Sequence, residues 1–375
     1  MRLGAGLGYW STSSPGRVGA DVASGAAEAL ATARTAEDLG YAVVWASEAY
    51  GSDAVTVLAW LAAQTTRIDL GSAVMQVPAR SAATTAMTAA TLDALSGSRF
   101  RLGLGVSGPQ VSEGWHGVRF DAPLARTREY VDVVRLALTR APLTYAGAHL
   151  QLPLPDGPGV PLRLSVQPPR ADLPIYLAAV GPRNVELAGE VADGWLPVFF
   201  SPEHSGDSLA ALARGRERSA LTGPVDVAPT VPLLVTDDAP GAGGAAGERA
   251  RAEASGPVRA HAALYLGGMG SRRANFYNQL AARMGYESEA ANVQEHFLAG
   301  RHREAAAAVP QGFVDATCLV GPPALLRDRM AAYAEVGVTT LSVAPMGATA
   351  QERLAGLRAA AEAIEAAGVG GGVAS

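Results

Sequence analysis

The stretch Arg99–Gly117, RFRLGLGVSGPQVSEGWHG, decides the fold. Its first half reads as a strand, with Phe100, Leu102, Leu104 and Val106 at alternate positions. Arg101, Gly103 and Gly105 fall between them, so one side of the strand carries almost no side chain. Glycine weakens a strand interior and marks a place where something comes close to the backbone. From Ser107 the stretch opens into a loop of Gly, Ser, Pro, Gln, Glu, Trp and His, and α/β proteins gather ligands at that end of their strands. Gly103, Gly105 and Gly108 also match G-x-G-x-x-G. That fingerprint needs an amphipathic helix opening at the third glycine. Pro109-Gln110-Val111-Ser112-Glu113-Gly114 does not read as helical, and a Rossmann site is rejected on that ground.

Upstream, the pattern is strand then helix, repeated. Leu3–Tyr9, Tyr41–Ala46 and Ile68–Met75 read as strands. Ala26–Leu39, closed by Gly40, and then Ala54–Gln64 and Ala82–Leu95 read as the helices that follow them. After the opening stretch, Pro123–Arg140 is a charged amphipathic helix. The rhythm then breaks over 141–173, an excursion rich in Pro, Leu and Gly that reads as carrying a hairpin. It resumes with strands at Pro174–Val180, Gly194–Phe200 and Val225–Val235 and helices at Arg183–Val191 and Ser208–Leu221. Thr236–Gly256 reads as a mobile low-complexity loop. Helical segments over 258–284 and 288–299 follow, then a helix at Ala324–Glu335, a last strand at Thr339–Ala344, a closing helix at Gln351–Ala367 and a disordered tail over 368–375. Strands starting at Leu3, Tyr41, Ile68, Phe100, Ile175, Trp195, Val227 and Thr339 make eight βα units, which predicts one TIM (β/α)8 barrel with insertions over 1–375. A doubly wound sheet with an appended helical domain is the alternative.

Composition narrows the function. The chain has 375 residues, 49% of them hydrophobic, and a formal net charge of -5 without a basic block, which argues against nucleic acid as a partner. The single cysteine, Cys318, excludes an internal disulfide and cysteine-based metal clusters and reads as a buried strand residue. No run approaches the length of a bilayer span, and no signal peptide is visible, so a cytoplasmic location is expected. There is no lysine, which excludes a Schiff-base aldolase. The six histidines, at 116, 149, 204, 261, 296 and 302, form no zinc-binding motif.

The strand ends hold Ser47 and Glu48, then Gln76, then Ser107–Gln110, then Gly181–Asn184, then Phe199–Ser201. This set contains one carboxylate and much Gly, Ala and Ser backbone. It suits a protein whose bound cofactor carries the reaction. Ala178-Ala179-Val180-Gly181-Pro182, opening a helix with Arg183, reads either as an anion site or as a tight turn. Glu48 lies either near a cofactor ring or in a structural pair with an arginine such as Arg80. Trp115 and His116 read as loop packing and rim, and Phe199 and Phe200 as an aromatic pocket or as core.

Taken with PIYLAAVGPRNVELAGEVADGWLP (174–197) and LYLGGMGSRRANFYNQLAARMGY (264–286), the stretch LGLGVSGPQVSEGWHG (102–117) resembles the F420-dependent oxidoreductases of the luciferase-like monooxygenase superfamily. The resemblance runs from the first strand to about Pro345. It implies a luciferase-like TIM barrel, coenzyme F420, hydride transfer at the deazaflavin C5 and a homodimer. It implies a cis peptide at Ala73–Val74 behind the ring with Gln76 next along, cofactor contacts from Ser107, Gly108, Pro109 and Gln110, and a phosphodiester held by Ala179, Val180 and Gly181, with Pro182 and Arg183 beside them. From their place at the second strand end, Ser47 is expected on the cofactor and Glu48 as the catalytic group. The chain departs from the family's dehydrogenases in two places. Ser47-Glu48 is followed by Ala49 where they carry histidine. Gly108-Pro109 stands where some members carry a glutamate, the nearest carboxylate being Glu113. Alcohol oxidation needs a base, so reduction of an activated C=C or C=N in a small organic substrate is the expected chemistry. The alternatives are an FMN-dependent monooxygenase of the same fold and a non-catalytic F420-binding protein.

Overall fold

The computed structural model describes residues 1–8, 22–236, 245–270 and 275–371. Its strands, in chain order, are β1 Arg2–Gly8, β2 Val43–Ala46, β3 Asp69–Ser72, β4 Met75–Gln76, β5 Phe100–Gly105, β6 Tyr145–Ala146, β7 Gln151–Leu152, β8 Ile175–Leu177, β9 Gly194–Trp195, β10 Asp226–Val227, β11 Thr230–Val235, β12 Leu319–Gly321 and β13 Thr340–Pro345. One parallel ladder runs β10-β9-β8-β5-β3-β2-β1-β13-β11-β12, with β4 paired to β5. β10 and β11 are two halves of one run of chain. The first half pairs with β9 and the second with β13, and Ala228 N donates to Trp195 O at 2.9 Å while Ser342 N donates to Pro229 O at 2.9 Å. The ladder therefore closes on itself as the expected eight-stranded barrel. Where the sequence reads one strand over Val225–Val235, the structure breaks it at Ala228-Pro229, because proline cannot donate to a ladder. β12 is an additional parallel strand on the outer part of β11.

The helices form where periodicity and caps place them. Asp53 caps Ala54–Ala62 by accepting from Thr56 N at 2.7 Å, Ser81 caps Ala82–Ser96, and Thr349 with Glu352 closes a capping box on Ala350–Ala366. Gly97 ends its helix in the left-handed conformation. The main core lies between these helices and the barrel wall. A smaller cluster fills the barrel interior: Val43, Trp45, Tyr176, Leu196 and Ala228, with Ala73, Val74 and Ala178 packed against it. The glycines of β5 make room for the protein itself. A Cβ on Gly103 would overlap the Ser72 carbonyl, and one on Gly105 would press into Val74.

Arg101 takes the side of β5 that the sequence reads as nearly bare. It closes the N-terminal end of the barrel. Its guanidinium reaches Asp69 at 2.7 Å, the Tyr176 hydroxyl at 3.1 Å and Asp226 at 3.5 Å. Asp226 in turn accepts from Tyr176 at 2.9 Å, Thr340 at 3.0 Å and Arg2 at 3.0 Å. Six strands thus meet in one buried polar knot.

Three local expectations need correction. Pro109–Gly114 is helical, with Gly108 as its N-cap and Pro109 in its first turn. The ground given for rejecting the dinucleotide fingerprint was therefore wrong, although six residues followed by a loop in a closed barrel are not the long helix of a βαβ unit. Second, Ala245–Ala254 is a helix where a mobile loop is expected over 236–256, because alternating Ala, Glu and Arg favour helix. Residues 237–244 of that loop and 372–375 of the tail lie outside the described residues. Third, Cys318 caps the helix Gln311–Thr317 just ahead of β12, and burial pushes its thiol up to about 12.

The excursion carries the expected hairpin, β6 against β7. Glu129, on the helix Pro123–Leu138, fastens it by accepting from Ala148 N, His149 N and Leu150 N at 2.7 to 2.9 Å. Burial raises the pKa of this carboxyl, but the three backbone donors outweigh that and hold it below its ordinary value. A depressed folded pKa means the contribution is complete above the unfolded value and fades as pH falls through the folded one. Glu129→Gln is expected to speed proteolytic cleavage between Tyr145 and Leu152 while leaving the melting of the barrel in place. The wild type should show the same loosening only on the acid side of the carboxylate range.

Candidate active site

The C-terminal ends of the parallel strands meet in one mouth. Its floor is the top of the interior cluster, where Val74 from the third strand and Ala178 from the fifth lie on either side of Gly105. The Ala73–Val74 peptide is cis, as the resemblance implies. Two turns with free donors flank this floor. Ser107 has φ 62°, a left-handed conformation that turns the chain off β5, and Gly108 then enters the short helix. Gly181 is the N-cap of Pro182–Val191. Among the described residues, the backbone N–H groups of Ser107, Gly108, Val180 and Gly181 donate to no protein acceptor. Nothing lies within 4 Å of where a Cβ on Gly181 would sit. Free amides beside open space at a helix N-terminus are the elements of an anion site. The Trp195 indole donates to Ala179 O at 3.0 Å and fixes the turn from below.

Glu48 is brought together with Arg80, the structural partner considered in the sequence. Arg80 holds both carboxylate oxygens, at 2.7 and 2.9 Å, and also reaches Asp53 at 2.5 Å. Ala54 N donates to the same carboxylate at 3.2 Å. The Glu48 side chain is 7% exposed. Held by the arginine and a backbone amide, the carboxylate ties the second and third strand ends together. Ser47 N donates to Gly8 O at 3.0 Å on the same rim. Gln76, 4% exposed, donates through its side-chain nitrogen to Glu48 O at 3.0 Å.

Other expected residues sit farther out. Gln110, Pro182 and Arg183 are exposed. Arg183 lines a cleft with Arg128, Glu186, Glu190 and Arg218. Phe199 and Phe200 are buried, the first among Tyr265, Tyr277 and Phe313, the second against Trp195 and Tyr333, so core packing is their role. Both also line a narrow cleft together with Ala179, Val180, Leu280 and Met284. Two residues join the site that the sequence leaves aside. Arg283 donates to Val180 O at 3.3 Å, and His116 reaches Gln76 at 3.2 Å. A rim histidine out in the loop past β5 gave no spacing signal, and the helix containing Arg283 is remote in sequence from the turn it meets.

The site is thus the C-terminal mouth of a closed parallel barrel, with an apolar floor and free backbone donors after the fourth and fifth strands. The chain belongs to the luciferase-like monooxygenase family, whose profile matches residues 9–340. A Mycobacterium tuberculosis protein provisionally assigned as a coenzyme F420-dependent oxidoreductase is 42% identical over 369 residues, 95% of this chain and 99% of the relative. A 5,10-methylenetetrahydromethanopterin reductase from Methanolobus tindarius is 32% identical over 50% of this chain and 55% of its own length. Among solved structures, the F420-dependent tetrahydromethanopterin reductase of Methanopyrus kandleri superposes with a TM-score of 0.74 at 22% identity, over 96% of this chain and 97% of that one.

Proposed function

We propose that this chain is a coenzyme F420-dependent oxidoreductase that works as a reductase on a small organic substrate. The observation that carries the reading is the make-up of the mouth: an apolar floor and free backbone amides, with its strand-end carboxylate already neutralised by Arg80. Such a site binds and orients while a cofactor supplies the chemistry. When bound, the deazaflavin supplies or accepts a hydride at C5. The residues present fit it. Ala73, Val74 and Ala178 offer a flat apolar backing, Ser107, Gly108, Pro109 and Gln110 one edge, and Ala179, Val180 and Gly181 free donors for a phosphodiester. Gln76 and Ser47 border the ring side, and Glu48 with Arg80 acts as a positioning pair. The 42% identity to the mycobacterial relative and the reductase among the curated relatives support F420 and reduction. We propose further that the protein is a homodimer in the cytoplasm, a reading that rests on the family resemblance. Among the described residues no helix is long and apolar enough to cross a membrane. Light scattering on the purified chain tests the dimer.

Titration decides the cofactor. F420 fluorescence should report saturable micromolar binding, and FMN should compete weakly or not at all. Micromolar FMN binding without F420 binding would replace this reading with the monooxygenase one. Binding of F420 without turnover across enones, imines and quinones would leave a carrier.

A further inference from the structure

We propose that His116 is the proton-transfer group of this mouth, with Gln76 selecting the ring nitrogen that does the work. The proposal rests on the F420 reading for its hydride, but its geometric part stands alone. The Gln76 side-chain nitrogen is committed as a donor to Glu48 O at 3.0 Å, which turns Oε1 toward His116 Nε2 at 3.2 Å. An amide oxygen only accepts, so Nε2 must carry the hydrogen. Neutral His116 is thereby held as the Nε2–H tautomer, and Nδ1 is the atom left to take or give a proton. Nδ1 has no partner among the described residues.

The placement is built into the fold. Gln76 pairs with Gly105 across the β4–β5 ladder, so its side chain stands at the start of the fourth-strand loop. Past the short helix, His116 N donates to Val111 O at 3.1 Å, and the Ser112 hydroxyl donates to Val118 O at 2.7 Å, which fold the loop back over the third strand end. Two other histidines lie toward this end of the barrel: His204 lines the cleft beside the Ala179-Val180 turn, with its Nδ1 joined to the Ser201 hydroxyl at 3.1 Å, and His261 packs against Phe199 and Tyr265, where burial pushes it down to about 4. His261 is a poor proton carrier there. The Glu48 carboxylate is occupied by Arg80. His116 is thus the group with a free proton-transfer atom beside the third strand end.

In the reductive direction, the substrate carbon takes the hydride, and its electron-rich partner atom takes the proton from Nδ1–H of the imidazolium. The Nε2–H bond to Gln76 is kept throughout, and solvent restores the Nδ1 proton. In the reverse direction Nδ1 accepts the proton. Hydride plus proton balance the two-electron reduction, with the oxidised cofactor as the other product.

Two measurements test this. Nitrogen-15 NMR of histidine-labelled protein without cofactor, with the signal assigned by its loss in His116→Gln, should show the Nε2–H tautomer when the ring is neutral. Gln76→Leu should convert it to a tautomer mixture. A neutral Nδ1–H tautomer in the wild type, or no change in Gln76→Leu, overturns the proposal. The second measurement uses reduced F420 and two acceptors: cyclohex-2-enone, which needs hydride and proton, and N-methylacridinium, which needs hydride alone. General acid catalysis contributes about 10²–10⁴-fold, so the enone-to-acridinium rate ratio should fall about 100-fold in His116→Gln, with F420 affinity within about threefold of wild type. An unchanged ratio, including enone reduction no faster in wild type than in the variant, overturns it. Failure of the wild type to bind F420 at all would instead sink the cofactor reading and leave the tautomer result to be judged by itself.

Discussion

Arg101→Met should destabilise the barrel by about 3–5 kcal/mol, the usual cost of removing one partner from a buried ion pair. The Arg101 side chain is 8% exposed and that of Asp226 is 11%, so water neither screens the pair well nor replaces the lost guanidinium. Burial alone lowers the pKa of Arg101, but the surrounding Tyr176, Asp69 and Asp226 more than reverse this and raise it. Methionine leaves Asp226 facing the Tyr176 and Thr340 hydroxyls and Arg2 without its buried cation, and Asp69 loses the 2.7 Å contact. The readout is the denaturant midpoint and melting temperature of the purified variant. Arg101→Lys should recover part of the loss, since it restores the charge but not the fork that reaches two carboxylates and a hydroxyl. A loss under about 1 kcal/mol, the range of exposed pairs, would show that the knot is solvated. The mouth lies at the other end of the strands, so F420 affinity per folded molecule should not change.

The second large effect is on binding. Gly181→Val should raise the dissociation constant for F420 by about 100-fold, or about 2.7 kcal/mol, with little change in folding. The residue has φ -77° and ψ 149°, a region any residue adopts, and its Cβ would meet no protein atom within 4 Å. The fold therefore does not require glycine here. A weaker N-cap costs about 1 kcal/mol or less, partly offset by a stiffer unfolded chain. The branched side chain does occupy the space in front of the free Val180 and Gly181 amides, where a phosphodiester would have to approach. Arg183→Ala should change affinity less than threefold, because that side chain is exposed and lines the cleft with Arg128, Glu186, Glu190 and Arg218. Melting temperature and dissociation constant on the same Gly181→Val preparation separate the outcomes. Unchanged affinity removes this turn from the cofactor site.

The barrel was legible because each unit declared itself locally. Alternating Phe100, Leu102 and Leu104, the helical periodicity of Ala29, Leu30, Ala33 and Ala36 and the Gly40 stop need only near neighbours. What escaped depends on contacts distant in sequence. Arg101 read as an interruption in an apolar pattern because its partners, Asp69, Tyr176 and Asp226, come from three other strands. The break at Ala228-Pro229 is set by which strands flank each half. Glu48 offered two readings since a strand-end position does not say whether Arg80 folds back onto it. His116 read as rim for the same reason: its meaning comes from Gln76, forty residues earlier, and from the direction in which Glu48 turns that amide.

The pairing of β1 with β13 also bears on how the protein is made. Leu3 lies beside Leu341, and Arg2 and Thr340 hydrogen-bond across 338 positions of sequence. During synthesis the first strand emerges well before β13, and one of its hydrogen-bonding edges has no partner until β13 has left the ribosome. Parallel pairing over such a distance is slow, and an open strand edge invites pairing with other chains. Nascent chains halted before β13 are therefore the species most in need of chaperone cover, and a ribosome-bound series of increasing length should become protease-resistant abruptly only once Pro345 has cleared the exit tunnel.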